Sequence, residues 1–111
     1  MKRVIVIASE TMGRGSDELG ATLMGSFLRK LCAESAKPAS IVFYNSGVKL
    51  VAEGSPVLDA LDLLARAGVE LVACQTCVAF YGLGDKIKVG RVGDMQGIVA
   101  TLSRSDAVVT I

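Results

Sequence analysis

Short runs rich in Val and Ile alternate along this chain with segments whose apolar residues recur every three or four positions. This alternation restricts the fold more than any other feature. A strand buried on both faces reads as a near-continuous apolar run. A helix between two such strands returns the chain to the same end of a parallel sheet. Residues 3–8, 41–44 and 69–73 read as strands, with a shorter one at 89–92, where Gly90 interrupts the pattern, and a last one at 106–111. The expected architecture is α/β: a three-layer α/β/α domain with a mostly parallel five-stranded sheet, covering residues 1–111 as a single domain.

The intervening segments carry their own punctuation. Ser16 or Asp17 caps a helix in which Leu19, Leu23, Met24, Phe27, Leu28 and Leu31 share one face, and Lys37-Pro38 ends that segment. Ser55-Pro56 is a helix start for the stripe Val57, Leu58, Leu61, Leu64 and Ala65, which Gly68 stops. Asp94 caps a helix holding Ile98, Val99 and Leu102. Val48, Leu50 and Val51 suggest a turn of helix after the second strand, and Gly82-Leu83-Gly84-Asp85 breaks the chain late on.

Composition removes several function classes. The 12 basic and 11 acidic residues leave a net charge of +1, so there is no basic footprint for nucleic acid. With no Trp, and Phe and Tyr at only 5% of the chain, a stacking platform for single strands is also missing. No apolar run approaches the roughly 20 residues of a membrane span, and the first nine residues read as a strand, too short for a signal peptide. The 51% apolar content then points to buried parallel strands and to apolar surface covered by a second copy, hence a homo-oligomer. Nothing in the residues calls for a cofactor.

The chain has no histidine. Ser-His-Asp and Cys-His nucleophile systems therefore lack their base, and sulfur becomes the leading nucleophile. Cys74-Gln75-Thr76-Cys77 follows directly on the third strand and precedes an apolar, turn-like stretch. An ordinary thiol, with a pKa of about 8.5, is only about 3% ionised at pH 7. Lowering it by about two units takes roughly 2.7 kcal/mol, more than a helix dipole of about 0.3 to 2 kcal/mol supplies. Backbone N–H donors or a cation such as Lys49, Lys86, Lys88 or Arg14 would have to contribute.

Four readings of the pair stand side by side. It is two small buried hydrophobes at a strand end, a metal site short of ligands, a thioredoxin-like redox pair, or a site of persulfide chemistry. Cys32, near the end of the first helix, reads as a buried filler. Three cysteines without a secretory segment suit a reducing cytoplasm and no disulfide framework.

In a parallel sheet, ligands sit beyond the carboxyl ends of the strands. Three candidate loops fall there: 10–16, 45–49 and 74–77. Gly13, Arg14 and Gly15 open onto the first helix and can hold an anion with their N–H groups, or form only a turn. They match neither a Walker loop nor a dinucleotide fingerprint. Asn45, Ser46 and Gly47 form a tight turn after the second strand or, through Asn45, orient a ligand.

Taken together, Ile7-Ala8-Ser9-Glu10-Thr11-Met12-Gly13-Arg14-Gly15, Asp17-Glu18-Leu19-Gly20, Phe43-Tyr44-Asn45-Ser46-Gly47-Val48-Lys49-Leu50 and Cys74-Gln75-Thr76-Cys77, followed by Tyr81-Gly82-Leu83, resemble the DsrE/DsrF-like superfamily. More closely they resemble the DsrE-like domain of the YedF group, a sulfurtransferase-like group linked to selenium metabolism. The resemblance runs from the first strand to the last. It implies a homo-oligomer such as a trimer or hexamer, and a cysteine that accepts sulfane sulfur as a persulfide and passes it on. Cys77-Val78-Ala79 is similar to the Cys-Val-Ala around the active cysteine of sulfur-relay members. The resemblance thus implies Cys77 as acceptor and Cys74 as its local partner. The YedF group carries a TusA-like sulfur-carrier domain ahead of this one, for which 111 residues leave no room. The expected partner is a separate TusA-like carrier, or the chain is a shortened form. The alternatives are a non-catalytic small-ligand-binding or assembly subunit and a dithiol oxidoreductase.

Overall fold

The computed structural model describes residues 1–111. β1 (Arg3–Ile7), β2 (Ser40–Phe43), β3 (Glu70–Cys74), β4 (Arg91–Gly93) and β5 (Ala107–Thr110) form one sheet in the order β4-β3-β2-β1-β5. Every pairing is parallel. The expected sheet is therefore present and is parallel throughout. All four residues of β2, the middle strand, are buried, which is why Ile41, Val42 and Phe43 are apolar in succession.

α1 (Asp17–Ala33) and α2 (Leu58–Arg66) follow β1 and β2. Right-handed crossovers in one direction put both on the same face of the sheet. They touch there: the Cys32 thiol of α1 donates to the carbonyl of Ala60 in α2 at 3.3 Å. α4 (Met95–Ser103) belongs to the return crossover from β4 to β5, which runs the other way across the sheet and covers the opposite face. Met24 and Leu28 of α1, Leu61 and Leu64 of α2 and Ile98 of α4 are buried against the strands, each contributing about 1.5–3 kcal/mol.

The caps explain where elements start. Ser16 Oγ accepts from Leu19 N–H at 3.1 Å, and Asp94 Oδ1 accepts from Gly97 N–H at 2.8 Å. Ser55-Pro56, expected to start α2, instead precedes it. Ser55 Oγ accepts from Val57 N–H at 3.2 Å, two residues on, which closes a turn rather than capping a helix. Gly68, at φ +96°, ends the α2 segment as expected. α1 stops at Ala33, four residues short of Lys37, because the chain must extend to the sheet, where Ala39 N–H donates to Arg3 O at 2.8 Å.

Two further elements shape the site. A 3-10 segment, Asn45–Val51, follows β2 with its apolar residues Val48, Leu50 and Val51 buried. The second is α3 (Gln75–Phe80), where the sequence pointed to a loop at 74–77 and a turn-like stretch beyond. Six residues are too few for an apolar period to show.

Candidate functional site

Strand register assembles the site. Ile7, Phe43 and Ala73 lie side by side at the carboxyl ends of β1, β2 and β3. The segments leaving those ends, Ser9–Glu10, the 3-10 segment and α3, therefore converge. Cys74 closes β3 with its side chain in the core, 1% exposed. Three residues later the first turn of α3 lifts Cys77 into a half-buried position at the surface.

The 3-10 segment is locked against β1. Gly47 is buried so tightly that a β-carbon there would lie 2.3 Å from the carbonyl oxygen of Ile7. Ser46 Oγ accepts from Glu10 N–H at 3.2 Å and donates to Ser9 Oγ at 3.4 Å. Asn45, which opens the segment, has φ +51° and is the sole non-glycine residue with positive φ. Its backbone N–H donates to Cys77 Sγ at 3.0 Å. Its side-chain oxygen Oδ1 accepts from the Tyr81 hydroxyl at 3.1 Å.

Aromatic side chains form the rim. The rings of Phe80 and Tyr81 meet edge to face at 5.0 Å, and Phe80 is 81% exposed. Lys49 Nζ lies 4.6 Å from the centre of the Tyr81 ring and 3.8 Å from Glu10 Oε1. Asn45, Thr76, Cys77, Phe80 and Tyr81 line an open pocket of about 390 Å³. A neighbouring depression of about 290 Å³, with Glu10, Lys49 and Ser55 in its wall, lies across Tyr81. A third, of about 250 Å³, is apolar and lies at the other end of the strands, around Arg3, Phe27, Leu31 and Pro38. It holds no nucleophile.

Burial pushes the Cys77 thiol up from its ordinary value. The Asn45 N–H pulls the other way by stabilising the anion, and Cys74, close enough to hydrogen-bond, adds to the rise. The net direction is upward. Ionisation at neutral pH requires donors or cations to outweigh burial; here the donor is present, but loss of solvent outweighs it. No cation contributes. Of the four expected, Lys49 lies over the Tyr81 ring, Lys86 and Lys88 lie on a loop whose backbone pairs with Glu53 and Val51, and Arg14 lies in the exposed turn before α1.

The geometry groups the candidate residues unevenly. Cys77 and Asn45 meet at one pocket. Cys74 lies behind them. Ser46 and Gly47 brace the loops and line no pocket. Gly13, Arg14 and Gly15 form an exposed turn before α1 that lines none either. Tyr81 and Glu10 were not singled out by sequence reasoning. The signal for Tyr81 was its position four residues after Cys77, one helical turn along the same face. No three Cys, Asp or Glu side chains come together as a metal-binding group. No helix is long and apolar enough to cross a membrane.

A family model for the DsrE/DsrF-like family matches residues 2–111. The chain belongs to this family. Its DsrE-like fold is shared by solved structures. The ychN protein from E. coli superposes with a TM-score of 0.75 at 15% identity, covering 100% of both chains. MTH1491 from Methanobacterium thermoautotrophicum, a protein of unknown function, gives 0.72 at 22% identity over 100% of both chains. BT1422 from Bacteroides thetaiotaomicron, also of unknown function, gives 0.68 at 15% identity, over 99% of this chain and 95% of that one. At these identities the likeness is one of fold. A search of curated proteins finds no match.

Proposed function

We propose that this DsrE-like protein is a sulfur-relay protein in which Cys77 accepts sulfane sulfur as a persulfide and hands it to a partner thiol. One observation carries the reading: a half-buried sulfur opens on a pocket of about 390 Å³ with a backbone N–H 3.0 Å away. Family membership supports it.

In the loading step Cys77 sulfur attacks the outer sulfur of a donor persulfide. A sulfur–sulfur bond forms at Cys77 and the donor's breaks. The donor leaves as a thiolate and takes up the proton that Cys77 gives up, so no histidine is needed. In unloading, an acceptor thiolate attacks the same outer sulfur and Cys77 departs, again without net oxidation. The Asn45 N–H favours the anionic sulfur on both sides of the exchange. If Cys74 attacks the inner sulfur instead, a Cys74–Cys77 disulfide forms and sulfide leaves, with the sulfane sulfur reduced and the cysteines oxidised.

The donor in this reading is a TusA-like carrier in a reducing cytoplasm, as the YedF-like residues suggest. Selenium follows the same displacement. Intact mass spectrometry after exposure to a sulfane donor tests the assignment. Wild type gains roughly 32 Da per sulfur. Cys77→Ser abolishes the adduct and Cys74→Ser leaves part of it. An undiminished adduct in Cys77→Ser would remove the assignment. A second reading, a non-catalytic binding or assembly subunit, draws on the raised thiol of Cys77. It predicts no adduct in any variant.

A further inference from the structure

Cys77, Asn45 and Tyr81 form a closed ring of hydrogen bonds. The Asn45 N–H donates to Cys77 Sγ at 3.0 Å, the Tyr81 hydroxyl donates to Asn45 Oδ1 at 3.1 Å, and the Tyr81 backbone N–H donates to the Cys77 carbonyl at 3.1 Å. The ring passes through the one backbone conformation in the chain that a side chain disfavours outside glycine, Asn45 at φ +51°. A glycine would adopt that φ at less cost. What asparagine adds is an acceptor, and the acceptor is used by Tyr81.

From this geometry we propose that Tyr81 is a positioning residue for Cys77. Its hydroxyl holds the Asn45 side chain, and that grip keeps the Asn45 N–H aimed at the sulfur. The proposal deepens the relay reading and rests on Cys77 as its nucleophile. Two features fix Tyr81 in turn: it caps the end of α3, and Lys49 covers its ring at 4.6 Å. The ring also meets that of Phe80 edge to face at 5.0 Å. Without the hydroxyl, Asn45 can relax toward negative φ. The N–H then turns away from the sulfur, and the thiolate loses its only backbone donor.

The other charged groups near the site have partners of their own, none of them the Tyr81 hydroxyl. Lys49 on the 3-10 segment is paired with Glu10 of the β1–α1 loop at 3.8 Å. Cys74 lies behind on β3. On β4, Arg91 is paired with Glu70 at 3.5 Å, and Asp94, the cap of α4, accepts from Gly97 N–H at 2.8 Å.

The experiment is a pH profile of Cys77 alkylation by iodoacetamide on the full chain, read at the Cys77 peptide by mass. Four proteins are compared: wild type, Tyr81→Phe, Asn45→Gly and the double variant. In Tyr81→Phe the profile shifts to higher pH and the rate at neutral pH falls about fivefold, the effect of one hydrogen bond. The alkaline plateau does not fall, because a thiolate freed of its donor is at least as nucleophilic. In the Asn45→Gly background, where no amide remains to be held, Tyr81→Phe has no further effect. A Tyr81→Phe profile superimposable on wild type would overturn the proposal, and so would an equal shift in both backgrounds. Alkylation needs no sulfane sulfur, so this outcome is separate from that of the persulfide assay. A chain that shows the coupling but forms no adduct keeps Tyr81 as positioning residue and loses the relay.

Discussion

Replacing Gly47 by Ala tests how the fold and the site are joined. The added methyl would lie 2.3 Å from the Ile7 carbonyl oxygen. Carbon–oxygen contacts normally begin at about 3.3 Å, so the 3-10 segment or the end of β1 has to move by about 1 Å. That oxygen already accepts from Tyr44 N–H at 3.2 Å, so the collision strikes a hydrogen-bonded group rather than a flexible side chain. Overpacking of this kind costs about 1–3 kcal/mol. With a urea dependence of about 2 kcal/mol per molar, a loss of about 2 kcal/mol lowers the unfolding midpoint by about 1 M. The site suffers too. Asn45 stands two residues earlier, and a shift of about 1 Å stretches its 3.0 Å bond to Cys77 beyond hydrogen-bonding range. Urea titration and Cys77 alkylation at neutral pH read the two effects, the second as a fall of about fivefold. Gly84→Ala is the control, because a β-carbon there meets nothing within 4 Å. Wild-type midpoint and alkylation rate in Gly47→Ala would refute the claim that this backbone contact sets the position of Asn45.

The raised Cys77 thiol has a signed consequence for stability. Its folded-state pKa lies above the unfolded value of about 8.5. Its stabilising contribution is therefore complete below that value and is lost as pH rises through the folded-state pKa. Against Cys77→Ala, wild type loses stability in that alkaline range; a difference that grows in favour of wild type there contradicts the assignment of burial as the dominant cause. Self-association is expected at β5, an edge strand paired with β1 on one side only, with Val108 and Val109 both exposed. Sedimentation should show an oligomer that Val109→Lys weakens; a wild-type monomer at high concentration would sink that expectation.

The α/β class, the strand positions and two of the caps could be read from the chain because they rest on local pattern. Ile41, Val42 and Phe43 are apolar in succession since a middle strand is buried on both faces, and Ser16 and Asp94 cap within three residues. The absence of histidine turned attention to sulfur, and the resemblance of Cys77-Val78-Ala79 to the segment around the family's active cysteine pointed to Cys77. The six-residue α3 left no such trace, and the pattern at Ser55 fitted a turn as well as a cap. Nor does residue order say how Cys74 and Cys77 divide their roles. The end of β3 buries one sulfur, and the first turn of α3 brings the other to a pocket.

Amino-acid order alone determined the alternation of strand and helix and the absence of histidine that turns attention to sulfur, because periodicity and residue chemistry are properties of neighbours along the chain. Only the tertiary structure decided that Asn45, 32 residues from Cys77, donates to its sulfur, that Tyr81 grips Asn45, and that burial raises the thiol. Each of those depends on parallel register bringing distant strand ends together, and on how much water the packed segments exclude.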